Sequence, residues 1–183
     1  MQPAFADHPT QSAVAFRTLM QAMARPGTIH DISAPAPAGF SPATAATLLV
    51  LADPTTPVWM PPGPARDWLI FHTGAPVTDT RADATFATGP WSTLTPLADW
   101  PIGTPDYPDR SATLIVEVPT LAGPGPRLTG PGIESKTTLP LPDAQALAAN
   151  AALYPQGVDL ILTCGTQIAA LPRSTRIHLP EKP

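Results

Sequence analysis

The sequence predicts an α/β domain built on a mixed β-sheet, and three features of the chain carry that prediction. Helix-patterned and strand-patterned segments alternate from one end to the other, as an α/β layout requires. The run SATLIVEV at 111–118 is β-rich and apolar on both faces, which suits a central strand covered on both sides. VDLILTC and IAALPRSTRIHL then flank a Gly-Thr-Gln turn, the pattern of a closing hairpin, which mixes the strand directions. At 183 residues, with 43% hydrophobic and 13% charged content, the chain is long enough to bury one core without disulfides or metals. A single domain over 1–183 is therefore expected.

Taken in order, TQSAVAFRTLMQAMARPG places Phe16, Leu19, Met20 and Met23 at i, i+3, i+4 and i+7, the expected core face of a first helix. Pro26 and Gly27 stop it. SPATAATLLVLAD opens with Ser41 as N-cap and Pro42 at the first helical position, and its Leu and Val content predicts burial. PVWM, FHTGAP and ATFAT read as short strands before SATLIVEV. LPDAQALAANAALYPQG predicts a further helix, ended by Tyr154-Pro155-Gln156-Gly157. The 27 prolines are scattered between apolar runs, so they act as loop punctuation, and neither a repeat nor a linker is visible.

Composition excludes several function classes. Net charge is −4, and the eight arginines and two lysines form no run, which disfavours nucleic acid and anionic membranes as partners. The longest apolar stretch, 43–52, is about half of a bilayer span. The single cysteine cannot form an internal disulfide framework, and the first ten residues lack a basic start followed by an apolar segment, so a cytoplasmic protein is expected.

The chemistry-bearing residues are sparse. LAGPGPRLTGPGIESK at 121–136 clusters glycines around Arg127 ahead of Lys136, but Ser135 stands where a phosphate-binding loop needs glycine before its lysine. The dinucleotide fingerprint also fails, because TTLPLP follows where a helix should open. A plain connection is the simpler reading of this stretch, with Arg127 the residue that keeps a ligand or partner role open. Cys164 in LTCGTQ reads as a buried hydrophobe without an electropositive neighbour to activate it. His8, His30, His72 and His178 show no metal-ligand spacing, and His72, in LIFHTGAP, is the one expected at a strand end. Glu117 and Asp159 interrupt apolar strands, where a charge must face solvent, a partner or a ligand. Asp53 caps a turn before Pro54. No Gly-x-Ser-x-Gly elbow occurs. The residues alone reveal no self-sufficient active site.

Seven phrases in fixed order, AFRTLMQAMARPG, LLVLADPTTPVWM, FHTGAP, SATLIVEV, RLTGPGIE, YPQGVDLILTCG and IAALPRST, resemble the PhnH family, a subunit of the bacterial carbon–phosphorus lyase system. The resemblance runs from about Ala13 to Ile177, with departures at Trp91–Tyr107 and at 61–65. It implies a three-layer α/β/α sandwich like the large domain of pyridoxal-phosphate-dependent transferases, without that cofactor, and a homodimer in isolation. It also implies a share, alongside PhnG, PhnI and PhnL, in making α-D-ribose 1-methylphosphonate 5-triphosphate from ATP and methylphosphonate, ahead of C–P cleavage by PhnJ. No catalytic residue, metal or cofactor follows from it. Arg127, Gly130, Gly132 and His72 are the candidates for a cleft or partner surface. The rival readings are an independent enzyme acting on a phosphonate or nucleotide, and a scaffold subunit without a ligand.

Overall fold

The chain opens with α1 (His8–Ala24), which starts where the Asp7 carboxylate accepts the Thr10 amide at 3.4 Å. In the computed structural model, which describes residues 3–179, the buried face of α1 is Ala15, Leu19 and Ala22. This corrects the expected face: Leu19 is buried, but Phe16 and Met20 are 48% and 55% exposed, and Met23 is half-buried. Both sets fit a helical period, and the close approach of α1 to the Ala/Thr-rich second helix selects the set with the smaller side chains.

That second helix, α2 (Pro42–Leu51), begins as the sequence predicts, with the Ser41 hydroxyl accepting the Thr44 amide at 3.2 Å. Residues Ala43 through Leu49 are all buried, because α2 lies between α1 and α3 (Ala65–Thr73) and against the sheet. The expected strand at FHTGAP is instead the last turn of α3, closed by Gly74 in the left-handed conformation (φ 70°). α4 (Trp91–Leu94) and α5 (Ala144–Ala151) are short, and α5 carries Asp143 as N-cap.

The main sheet contains β1 (His30–Asp31), β2 (Val58–Trp59), β3 (Val77–Thr78), β4 (Phe86–Pro90), β5 (Thr113–Glu117), β8 (Asp159–Cys164) and β9 (Gln167–Leu171), in the order β1-β9-β8-β5-β4-β2-β3. Strands β3, β2, β4, β5 and β8 are parallel neighbours, whereas β9 runs antiparallel to β8 and β1 antiparallel to β9. The mixed sheet and the closing hairpin are thus as the sequence predicts. A smaller antiparallel sheet, ordered β10-β6-β7, unites β6 (Arg127–Thr129), β7 (Thr137–Thr138) and β10 (Arg176–His178). The stretch 121–136, expected to be a plain connection, therefore supplies a strand.

Two apolar cores lie on the two faces of the main sheet. Helices α1, α2 and α3 pack against Ile115, Ile161 and Ile168 on one face. On the other, Leu114, Val116, Leu160 and Leu162 meet Leu94, Trp100, Leu128 and Leu147, so this outer layer mixes helices with the small sheet. β5 sits between the cores, and Leu114, Ile115 and Val116 are completely buried. Arg81 pins the 91–100 segment to this second face: its guanidinium lies 5.2 Å from the Trp59 ring and 5.1 Å from the Trp100 ring. The same group donates to Thr93 O and Thr95 O and pairs with Asp99.

Candidate functional site

After β2 the chain turns to α3 on the helical face, and after β4 it turns to α4 on the opposite face. The carboxyl ends of β2 and β4 therefore form a topological switch point, where open α/β sheets leave a crevice. A crevice of about 260 Å³ lies there, walled by Phe40, Met60, Pro61 and Pro90 and reached by Thr88 and Glu117. Register explains why the last two share it. Thr88 pairs with Ile115 and Pro90 with Glu117, so Thr88 on β4 and Glu117 on β5 point to the same face of the sheet.

Glu117 is fixed from behind. Its Oε1 accepts the Ser41 amide at 2.6 Å and the Thr44 hydroxyl at 2.8 Å. With its proton committed to the carboxylate, Thr44 accepts from the hydroxyls of Thr163 at 2.8 Å and Ser41 at 2.9 Å. Both bonds to Glu117 go to one oxygen, and Oε2 accepts none among the described residues. Thr88 is the opposite case. It is 1% exposed, and its hydroxyl has no hydrogen-bond partner among the described residues. The site thus offers a held carboxylate between apolar walls, with the Thr88 hydroxyl enclosed beside it and no cationic side chain in its lining.

The residues singled out by sequence fall elsewhere and do not form one site. Arg127 lies on β6, exposed, with Nη2 3.1 Å from His178 Nδ1, while His178 Nε2 lies 2.8 Å from the Thr129 hydroxyl. Gly130 follows that strand and lies beside Ser174 and Thr175. Gly132 (φ +79°) packs on the C-terminal end of α1, where a Cβ would overlap the Ala24 carbonyl oxygen, so this glycine serves a close approach of two backbones. His72 is on α3 at the other face of the sheet, with its ring 4.9 Å from Trp68 and 5.0 Å from Phe71.

Other polar positions are locally satisfied. Asp159 is held by Arg173 through the guanidinium and the backbone amide (2.8 Å), and Arg173 Nη1 also reaches Pro108 O at 2.6 Å. Asp53 accepts the amide and hydroxyl of Thr55, each at 2.7 Å, which hold its carboxyl below the usual range. Cys164 is half-buried with Sγ 3.4 Å from Pro119 O. Lys136 is exposed in the β6–β7 turn, and Lys182 lies outside the described residues. Sequence reasoning marked Glu117 as a charge in need of a partner but missed Thr88, since threonine is an ordinary strand former. No helix among the described residues is long and apolar enough to cross a membrane.

Comparison with known proteins places these features in a family. The family model "Bacterial phosphonate metabolism protein (PhnH)" matches residues 3–178. A protein of Rhizobium meliloti (strain 1021), named alpha-D-ribose 1-methylphosphonate 5-triphosphate synthase subunit PhnH, is 41% identical over 96% of this chain and 94% of its own. A putative C-P lyase subunit protein, HtxG of Stutzerimonas stutzeri, is 39% identical over 43% of each chain. The chain belongs to the PhnH family of bacterial phosphonate metabolism proteins.

Proposed function

We propose that this chain is a subunit of an α-D-ribose 1-methylphosphonate 5-triphosphate synthase in phosphonate utilisation, and that it acts only in complex with other subunits. The observation that carries this reading is the 41% identity, across nearly the whole of both chains, to a protein bearing that name. Its partners are other carbon–phosphorus lyase subunits: PhnG, PhnI, PhnJ and PhnL. The chain is one domain, cytoplasmic, and a homodimer when isolated. Its exposed Phe16, Met20, Ile70 and Phe71 are apolar surface that association would cover, and light scattering at tens of micromolar reads the dimer directly.

The three-layer arrangement follows the large domain of pyridoxal-phosphate-dependent transferases, kept here as an assembly framework without the cofactor. Arg127, Gly130 and Gly132 line one partner edge, and His72 belongs to a second surface on α3. The rival reading is an independent enzyme. Co-expression of the tagged chain with PhnG, PhnI, PhnJ and PhnL separates the two. Stoichiometric co-purification is the expected result, and a chain that never associates yet turns over a phosphonate or nucleotide alone would overturn the proposal.

A further inference from the structure

Three independent features meet in the crevice at the ends of β2, β4 and β5. It occupies the switch point of the parallel strands, where α/β sheets bind ligands. It is lined by Thr88, whose buried hydroxyl has no partner among the described residues, as is also true of Arg66 Nε, Ser111 Oγ and Thr175 Oγ1. It presents Glu117 with one oxygen anchored by the start of α2 and the other without a protein donor among the described residues. The first two would exist without the third, and all three are explained by a ligand.

The chemistry of that ligand is restricted. A carboxylate in the lining disfavours phosphate and phosphonate and selects a group that donates hydrogen bonds, and the neighbouring Arg66 guanidinium is bonded to Met60 O and paired with Asp79. Prolines, Phe40 and Met60 favour the C–H face of a ring. A volume of about 260 Å³ encloses a sugar-sized group rather than a whole nucleotide triphosphate. We propose that the crevice binds a ribosyl group through its hydroxyls, with Glu117 accepting from a vicinal diol and Thr88 completing the set by turning its enclosed hydroxyl about χ1 toward the ligand. The choice of ribose among polyols rests on the proposed synthase role, whereas the preference for a neutral hydroxyl-bearing group over an anion rests on the lining alone.

The test uses the full isolated chain, protein NMR titration and three probes: methyl β-D-ribofuranoside, its 2-deoxy analogue and methylphosphonate. The riboside is expected to bind saturably with Kd on the order of millimolar, as suits so small a ligand. The 2-deoxy analogue is expected to bind roughly tenfold more weakly, and methylphosphonate should not displace the riboside. Thr88→Val, which removes an unpartnered hydroxyl at constant shape, should weaken riboside binding about three- to tenfold without lowering Tm. Thr88→Ser, which restores the hydroxyl, should bind within about twofold of the parent, and Glu117→Gln should lose roughly tenfold or more. Riboside binding indifferent to Thr88→Val and Glu117→Gln, equal loss in Thr88→Ser and Thr88→Val, displacement by methylphosphonate, or no saturable binding would each overturn the site. Failure of the co-purification with riboside binding intact would remove the synthase role and leave the crevice standing as a polyol site.

Discussion

Glu117, at the end of the central strand, closes the first turn of the most deeply buried helix by accepting the Ser41 amide at 2.6 Å. One carboxylate oxygen thereby ties the sheet to α2 and, through Thr44, to Thr163 on β8. Glu117→Ala should cost about 2–3 kcal/mol in urea unfolding, because the amide and the Thr44 hydroxyl both lose a charged acceptor in a half-buried place. Glu117→Gln retains one acceptor oxygen and should cost about 1 kcal/mol. Equal stability of Glu117→Ala and the parent would show that the cap contributes nothing.

The Asp159–Arg173 pair is the most enclosed ion pair among the described residues, with side chains 17% and 14% exposed. Asp159→Ala should destabilise by about 3 kcal/mol, since it strands a guanidinium that is also fixed to Pro108 O. Asp159→Ala combined with Arg173→Met should cost clearly less than the sum of the single changes. Additive losses would mean that the two residues stabilise the fold separately.

How much of this was legible in the sequence depends on the range of the forces involved. β5 was visible because a strand buried on both faces must be apolar at every position, and SATLIVEV is. The Ser41 cap was visible because capping is local. FHTGAP misled because Phe71, His72 and Thr73 before Gly-Ala-Pro look like a bounded strand, although Trp68 and His72 are one helical turn apart and Gly74 is a helix terminator. The face of α1 was misassigned because two faces share Leu19, and only the Ala-rich neighbour α2 decides between them. Glu117 announced itself as a charge in an apolar run, but its partner lies 76 residues away, and nothing local marks Thr88 as unpartnered. The candidate crevice is a product of topology, so no short motif could display it.

Arg127→Ala should leave folding almost unchanged, within about 0.5 kcal/mol, because the side chain is exposed and its contact is a single bond to His178. If the surface around Arg127 meets a partner, the same change should weaken assembly. Melting temperature and co-purification yield, measured together, separate these effects. A large loss of Tm would assign Arg127 a structural role instead.

Lys136 is exposed and flanked by Ser135 and Thr137, so an imine formed there would stand open to water. Stoichiometric pyridoxal phosphate followed by borohydride reduction should give no specific adduct by absorbance or mass. A single adduct at Lys136, lost in Lys136→Ala, would restore the cofactor and the independent-enzyme reading.

Reconstitution tests whether this chain is a working but non-autonomous subunit. PhnG, PhnI and PhnL are supplied with ATP and methylphosphonate, with and without this chain, and adenine release is followed. A non-autonomous subunit gives no release by itself, and release by the mixture falls to background when the chain is omitted. Adenine release by the isolated chain, or an undiminished rate in its absence, would contradict that role.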